Sequence, residues 1–160
     1  MIIITTQCFY PNIGGIEALM TGMATAMYKS GKDILVLADG KKDEGERIET
    51  YSIKRFNGWK PIRRIKKARY ISQLCNTSNI EAIYADSWKS IEYLNNMNVP
   101  IFVLAHGTEI QKNIFNLNFY QKFKQKRIFS SYKKSKRILA NSNYTKELIK
   151  ESLKISANKI

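Results

Sequence analysis

MIIITTQCFYPNIGGIEALMTGMATAMYKSGKDILVLADG, residues 1–40, decides the fold. Met1 to Thr5 is a short apolar, β-branched run with the pattern of a buried strand. Pro11-Asn12-Ile13-Gly14-Gly15 is a loop by composition. Ile16, Leu19, Met20, Met23, Ala24, Met27 and Tyr28 then recur at helical spacing and share one helix face, and Gly31 supplies a C-terminal stop. Ile34 to Ala38 is a second buried strand. Two apolar strands joined by a helix form a parallel, right-handed unit.

The alternation continues outward from there. Asp39 to Glu46 is polar and predicts a loop, Glu49 to Phe56 a third and less buried strand, and Pro61 the first turn of a helix running to about Thr77. Ile80 to Ala85 and Pro100 to Ala105 read as the fourth and fifth strands, with a short helix from Ser87 to Asn96 between them. A long helix is expected over Asn118 to Ser135, a sixth strand over Arg137 to Ala140, and a last helix over Tyr144 to Leu153. Ser156 to Ile160 turns from polar to apolar, as at the start of another strand. The fold class predicted is α/β: a doubly wound, mainly parallel, Rossmann-like sheet. There is no internal repeat and no low-complexity segment.

Composition bounds the rest. The chain has 160 residues, is 44% hydrophobic and 11% aromatic, and carries 27 Lys+Arg against 13 Asp+Glu, a formal net charge of +14. That excludes collagen, coiled coil, disulfide-stapled mini-protein and intrinsic disorder, and it suits one domain. The charge points to phosphate-bearing partners without choosing among nucleic acid, anionic lipid and a phosphorylated small molecule. Cys8 and Cys75 are expected to be reduced thiols, and with His106 as the only histidine no metal cluster can be assembled. The opening residues lack the basic region and cleavage site of a signal peptide, and Pro11, Gly14 and Gly15 would interrupt a spanning helix. A cytoplasmic protein is expected.

In an open parallel sheet, ligands bind outside the carboxyl ends of the strands. Three segments reach that edge with suitable residues. Asn12-Ile13-Gly14-Gly15 precedes a helix whose free N–H groups favour an anion such as a diphosphate, although a tight turn would also account for the glycines. His106-Gly107-Thr108-Glu109 follows the fifth strand and offers an imidazole, a hydroxyl and a carboxylate where a sugar or phosphate would lie; a structural histidine is the plainer alternative. Asn141-Ser142-Asn143-Tyr144-Thr145 follows the sixth strand, and Asn141 or Ser142 as a helix cap accounts for that segment without a ligand. Glu17 suits the positive end of its helix, and Asp86, ending the fourth strand, is a weaker candidate.

Gln7-Cys8-Phe9-Tyr10-Pro11-Asn12-Ile13-Gly14-Gly15-Ile16-Glu17, then His106-Gly107-Thr108-Glu109, then Ala140-Asn141-Ser142 with Tyr144-Thr145 resemble, in order, the landmarks of the N-terminal domain of family 4 (group 1) glycosyltransferases. The resemblance covers nearly the whole chain. It implies one half of a GT-B architecture, in which two Rossmann-like domains face each other across a cleft. The N-terminal domain mainly holds the acceptor, and the C-terminal domain mainly holds the donor. It implies a retaining, nucleotide-sugar-dependent transfer of a hexose-type sugar to a glycan or lipid-linked acceptor, with no cofactor and no bound metal beyond the nucleotide-diphosphate sugar as donor substrate. By this resemblance Gly14 and Gly15 face the donor diphosphate and His106 is catalytic, beside the transferred sugar. Thr108 and Glu109 neighbour that site, and Asn12, Asn141, Ser142 and Thr145 lie at the cleft edge. The family's basic pair and Glu-x7-Glu motif, both in the C-terminal domain, have no counterpart here. Residues 1–160 are therefore expected to be the acceptor-side domain alone, inactive without its missing C-terminal partner.

The bases cluster. No acid occurs between Thr50 and Ile80 or between Ile110 and Lys146, and these windows hold 18 of the 27 bases. Arg63, Arg64, Lys66 and Lys67 in the first, and Lys122, Lys124, Lys126 and Arg127 in the second, interleaved with Phe115, Phe119, Tyr120 and Phe123, suit docking on an anionic membrane face. A solvated charged face, or a lysine-rich composition at large, explains the same residues. The alternative function is a basic, non-enzymatic α/β module binding nucleic acid or an anionic membrane. Nucleic acid is disfavoured by the absence of RNP, KH and zinc signatures.

Overall fold

The structure is a computed structural model and describes residues 1–41, 51–95, 97–110 and 118–160. Lys42 to Glu46 of the expected loop, Glu49 and Thr50 of the expected third strand, Asn96 and Phe115 lie outside the described residues.

Six strands form one all-parallel sheet: β1 (Ile2–Thr5), β2 (Ile34–Asp39), β3 (Ser52–Phe56), β4 (Ala82–Ala85), β5 (Ile101–Ala105) and β6 (Arg137–Ala140). Their order is β3-β2-β1-β4-β5-β6. β1 pairs Ile2 with Ile34 on one side and with Ala82 on the other, and all four of its residues are buried. Between β1 and β4 the strand order reverses direction, which opens a crevice at their carboxyl ends. The fold is the Rossmann-like α/β arrangement expected.

The helices are α1 (Gly15–Lys29), α2 (Lys60–Thr77), α3 (Trp88–Ile91), α4 (Phe119–Lys134) and α5 (Asn143–Leu153). Helix α1 covers one face of the sheet, where Met20 and Ala24 pack on Ile2, Ile4, Ile34, Val36 and Ala38. The larger core lies on the other face. There Ile71 of α2, Trp88 and Ile91 of α3, Ile128 and Tyr132 of α4 and Ile149 of α5 meet Ile3, Leu37, Ile83 and Val103. No described helix is long and apolar enough to cross a membrane.

Local chemistry explains most element ends. Gly31 has φ +83, and the N–H groups of Gly31 and Lys32 donate to the carbonyls of Tyr28 and Met27, closing α1 as a Schellman motif. Pro61 sits in the first turn of α2. Asn118 and Gln121 form a reciprocal capping box on α4, which the sequence reading passed over. Two expectations are corrected. The apolar stripe of α1 is narrower than its spacing suggests, because Leu19 and Tyr28 at its margins are 49% and 40% exposed. Ser156 to Ile160 starts no strand: Ser156 Oγ accepts the Asn158 N–H and the segment curls into a 3-10 turn, Ala157–Lys159.

Candidate functional site

All three segments singled out in the sequence emerge at the carboxyl edge of the sheet, and side-chain contacts link them. Each follows from strand polarity. In a parallel sheet every strand delivers its next few residues to the same edge, so Thr6–Gly15, Asp39–Gly40, Asp86–Ser90, His106–Ile110 and Asn141–Thr145 are neighbours there.

Asp86 is the hub. It is 2% exposed. Its Oδ2 accepts the Gln7 N–H at 2.7 Å and the Thr6 hydroxyl at 3.0 Å, and its Oδ1 accepts the Ser90 hydroxyl at 2.5 Å and the Ser87 hydroxyl at 3.3 Å. The Thr6 hydroxyl shares its proton with the Cys8 carbonyl, 2.7 Å away, and accepts the Cys8 N–H. His106 Nε2 donates to the Asp86 main-chain carbonyl at 2.8 Å. A carbonyl can only accept, so Nε2 carries the proton and Nδ1 of the neutral ring keeps its lone pair. Nδ1 has no hydrogen bond among the described residues. Asp86, ranked low in the sequence, thus joins the β1 loop to α3 and to His106. The signal available for it was positional: an acid closing an apolar strand at the carboxyl edge, as the histidine does one strand on.

The rest of the His106 segment is built on α5. Gly107 has φ +72, a left-handed backbone that favours glycine, and a Cβ there would lie 2.6 Å from Thr145 Oγ1. Thr145 is 2% exposed; its hydroxyl donates to Asn141 Oδ1 at 2.7 Å and accepts from Ser142 Oγ at 3.1 Å, while its N–H donates to Ser142 Oγ. Ser142, not Asn141, is the N-cap of α5. Thr108 is exposed at the turn, its N–H donating to the His106 carbonyl. Glu109 is largely buried, with Oε1 3.9 Å from Lys89 Nζ and Oε2 without a hydrogen-bond partner among the described residues. Burial raises its pKa above the usual carboxylate value, against the opposing pull of Lys89 and His106.

Gly14 and Gly15 begin α1. Gly14 has extended backbone and no side chain caps the helix. The Glu17 carboxylate lies over Gly14, and Gly15 has open space around it. Asn12 and Ile13 are exposed. The Cys8 thiol has its pKa raised to about 11, by burial first and then by the nearby carboxylates of Asp86 and Glu17. Hydrogen bonds therefore run from Cys8 through Thr6 and Asp86 to His106, and the Glu17 carboxylate over the start of α1 acts on the Cys8 thiol by its charge. Asn141, Ser142 and Thr145 join the same edge by packing against Gly107. Both cysteines are free thiols.

Beside this lies a cationic cluster that the sequence reading assigned elsewhere. Lys67 is 1% exposed, its Nζ 2.7 Å from Asp39 Oδ1 and 2.6 Å from the Thr6 carbonyl that it bonds. Burial lowers its pKa, and Asp39 opposes that. Arg63 Nη2 stands 3.3 Å from Asp39 Oδ2. Arg64 and Arg127 converge on Glu92 at 3.3 and 2.5 Å, and Lys134 Nζ donates to the Glu92 carbonyl. Of the residues expected at a docking face, Lys67, Arg63, Arg64 and Arg127 are engaged by acids from outside their own acid-free windows, with Lys67 buried and Arg127 still 31% exposed. Lys66, Lys122 and Lys126 are exposed and Lys124 is half-buried.

No curated protein matches the chain in sequence. Among solved structures the chain resembles the UDP-GlcNAc 2-epimerase from Methanocaldococcus jannaschii, with a TM-score of 0.63 at 13% identity over 100% of this chain and 44% of that one. It also resembles the wall teichoic acid polymerase TagF, with 0.60 at 9% identity over 99% and 37%. Both have the GT-B fold. Identities this low speak to the fold alone, and the chain spans less than half the length of either protein. The profile described as Glycosyltransferase Family 4 matches residues 13–160, which include all three edge segments but for the residues before Ile13. The chain belongs to glycosyltransferase family 4.

Proposed function

We propose that the chain is the acceptor-side domain of a retaining glycosyltransferase that moves a hexose-type sugar from a nucleotide-diphosphate donor to a glycan or lipid-linked acceptor, without a metal or other cofactor. The observation that carries this reading is the meeting of the Gly14, His106 and Asn141 segments at one sheet edge, with His106 Nδ1 and Glu109 Oε2 without a hydrogen bond there among the described residues. In this reading the start of α1 receives the diphosphate once Glu17 swings off Gly14, since a carboxylate and a phosphate repel each other there. His106 lies beside the transferred sugar, with Thr108 and Glu109 as neighbours. Asn12, Asn141, Ser142 and Thr145 shape the edge. Donor binding rests mainly on a second domain, so residues 1–160 alone are inactive.

The test is sugar transfer by the protein with its second domain, with anomeric configuration followed by NMR, in EDTA. Retained configuration, loss of turnover in His106→Ala and no turnover by residues 1–160 are expected. Turnover by residues 1–160 comparable to that of the longer protein would overturn the division of labour, and inversion would overturn the retaining mechanism.

A second element of the reading is attachment to an anionic membrane on the cytoplasmic side. Its support is two sets of exposed residues, on the first turns of α4 and α2. Phe119, Tyr120 and Phe123 on α4 are 87%, 71% and 54% exposed beside Lys122 and Lys126, and Trp59 and Ile62 at α2 are 72% and 45% exposed beside Lys60 and Lys66. Glu92 ties α2 to α4 through Arg64 and Arg127, which keeps these turns on one side of the sheet. Bases around large apolar groups suit an anionic lipid surface. Co-sedimentation with phosphatidylglycerol vesicles but not phosphatidylcholine vesicles is expected, weakened in Phe119→Ala/Phe123→Ala. Equal, negligible binding to both would remove this element, and a salt-dependent shift with single-stranded RNA in its place would favour a nucleic-acid module.

A further inference from the structure

Asp86 is the buried titratable group that the reading above leaves without a part. Four donors converge on its carboxylate from two different elements: Thr6 and Gln7 after β1, and Ser87 and Ser90 at α3. No cation forms a salt bridge with it among the described residues. A carboxylate held this way cannot rotate without stranding several buried donors, and each stranded group carries a penalty of about 1–3 kcal/mol. Its backbone is held on both sides: the Asp86 N–H, in the preceding peptide, donates to the Thr5 carbonyl at 3.2 Å, and the Ser87 and Ser90 hydroxyls tie the carboxylate to the residues that follow the Asp86 carbonyl. That carbonyl is the one that receives His106 Nε2–H.

We propose that Asp86 is a positioning residue: by locking the peptide that follows β4, it holds the His106 imidazole in the Nε2–H form and in one orientation, leaving Nδ1 as a hydrogen-bond acceptor. The chemical consequence is selective. An acceptor nitrogen pairs with a hydroxyl and repels a phosphate oxygen, which has no proton to give. His106 so held reads a sugar hydroxyl, and the diphosphate is left to the start of α1. The bearing on sugar transfer rests on the proposed function; the state of the ring does not.

Because His106 is the only histidine in the chain, its ring can be observed alone. Long-range 1H–15N NMR on residues 1–160, above the imidazole titration range, should give one Nε2–H form with a directly observable Hε2 proton protected from solvent exchange. Asp86→Ala should lose that protected signal while the backbone spectrum stays folded. Ser90→Ala, which deletes one donor and leaves the carboxylate, should speed Hε2 exchange by about tenfold, the loss expected for one hydrogen bond to a charged acceptor. This variant decides the matter if Asp86→Ala does not fold. An unprotected Hε2 in the wild type, or a signal unchanged in the variant that folds, overturns the proposal. In the active protein, Asp86→Ala should add little to the loss already caused by His106→Ala. Additive losses there, with Hε2 protected as expected, would count against Asp86 acting through His106, whereas absence of any transfer would bear on the proposed function only.

Discussion

Gly107→Ala is the sharpest test of how the His106 segment is held. The new methyl group would stand 2.6 Å from Thr145 Oγ1, on backbone with φ +72. The left-handed conformation costs an L-residue about 1–2 kcal/mol. The hydroxyl cannot retreat freely, since Thr145 is 2% exposed and bonded to both Asn141 and Ser142. Moving it gives up a hydrogen bond worth about 1 kcal/mol, so the total is about 2–3 kcal/mol. For a chain of this length that lowers the melting midpoint by about 4–12 °C. Urea and thermal unfolding followed by circular dichroism measure it. The cause is separable by a double-mutant cycle. Thr145→Ala deletes Oγ1, and the next atom the methyl would meet is Thr145 Cβ at 3.6 Å, an ordinary contact. In that background Gly107→Ala should cost only the backbone share, leaving a coupling of about 1 kcal/mol. Equal costs in both backgrounds, or a single variant within about 0.5 kcal/mol of wild type, would refute the close-approach account.

Other perturbations follow from the same edge. Gly14→Ala, on extended backbone and opposed by the end of the Glu17 side chain, should destabilise by under about 1 kcal/mol, and a larger loss in urea would mean that Glu17 is locked in place. Glu17→Ala should bring the Cys8 thiol below about 11, though burial and Asp86 keep it above the ordinary 9.0; the pH dependence of alkylation at Cys8, followed by peptide mapping, reads this, and an unchanged profile contradicts it. Lys67→Ala leaves the buried Asp39 carboxylate without its closest cation and should cost about 3 kcal/mol in urea unfolding, where under about 1 kcal/mol would show that the pair contributes little. Glu109 has a raised native pKa, so as pH falls the native state takes up this proton before the unfolded chain does. Its destabilising burial is fully present at neutral pH and relieved as pH drops through the native pKa. Glu109→Gln should therefore gain on wild type at pH 7 and lose that advantage toward the ordinary carboxylate value of 4.5; a difference constant with pH would argue against a desolvated carboxylate.

The strands were legible because each is a short apolar run bounded by turn residues, and their parallel sense followed from the helices between them. Their order was not. Nothing in Ile34 to Ala38 says that it lies between β1 and β3, since that depends on how α1 and α2 pack on opposite faces. The three edge segments were legible for the same positional reason that brings them together. Asp86 was undervalued because its importance lies in partners far away in sequence, Thr6, Gln7 and Ser90, and in a main-chain atom that has no sequence signature. The ion pairs of four of the expected docking bases were hidden for a related reason. A charge-poor or acid-free window describes only local sequence, while Asp39 and Glu92, which neutralise Arg63, Lys67, Arg64 and Arg127, arrive through the tertiary fold. Ser142 as cap, and Gly31 as the left-handed stop after α1, were within reach because caps are local.

The central place of β1 also has a history in time. Its two sides are completed at different moments of synthesis: β2 follows within one helix, whereas the edge that will pair with β4 waits until Ala82–Ala85 have been made. That interval is roughly 80 residues, or about 4–16 s at common elongation rates. Throughout it the nascent chain carries an open row of peptide groups on a strand whose residues all end up buried, the kind of edge that recruits other chains. The arrival of β4 and then Asp86, whose side chain reaches back to Thr6 and Gln7, closes that exposure and fixes the first part of the crevice, onto which His106 is later docked. The seal of the sheet and the footing of the site share the same few residues.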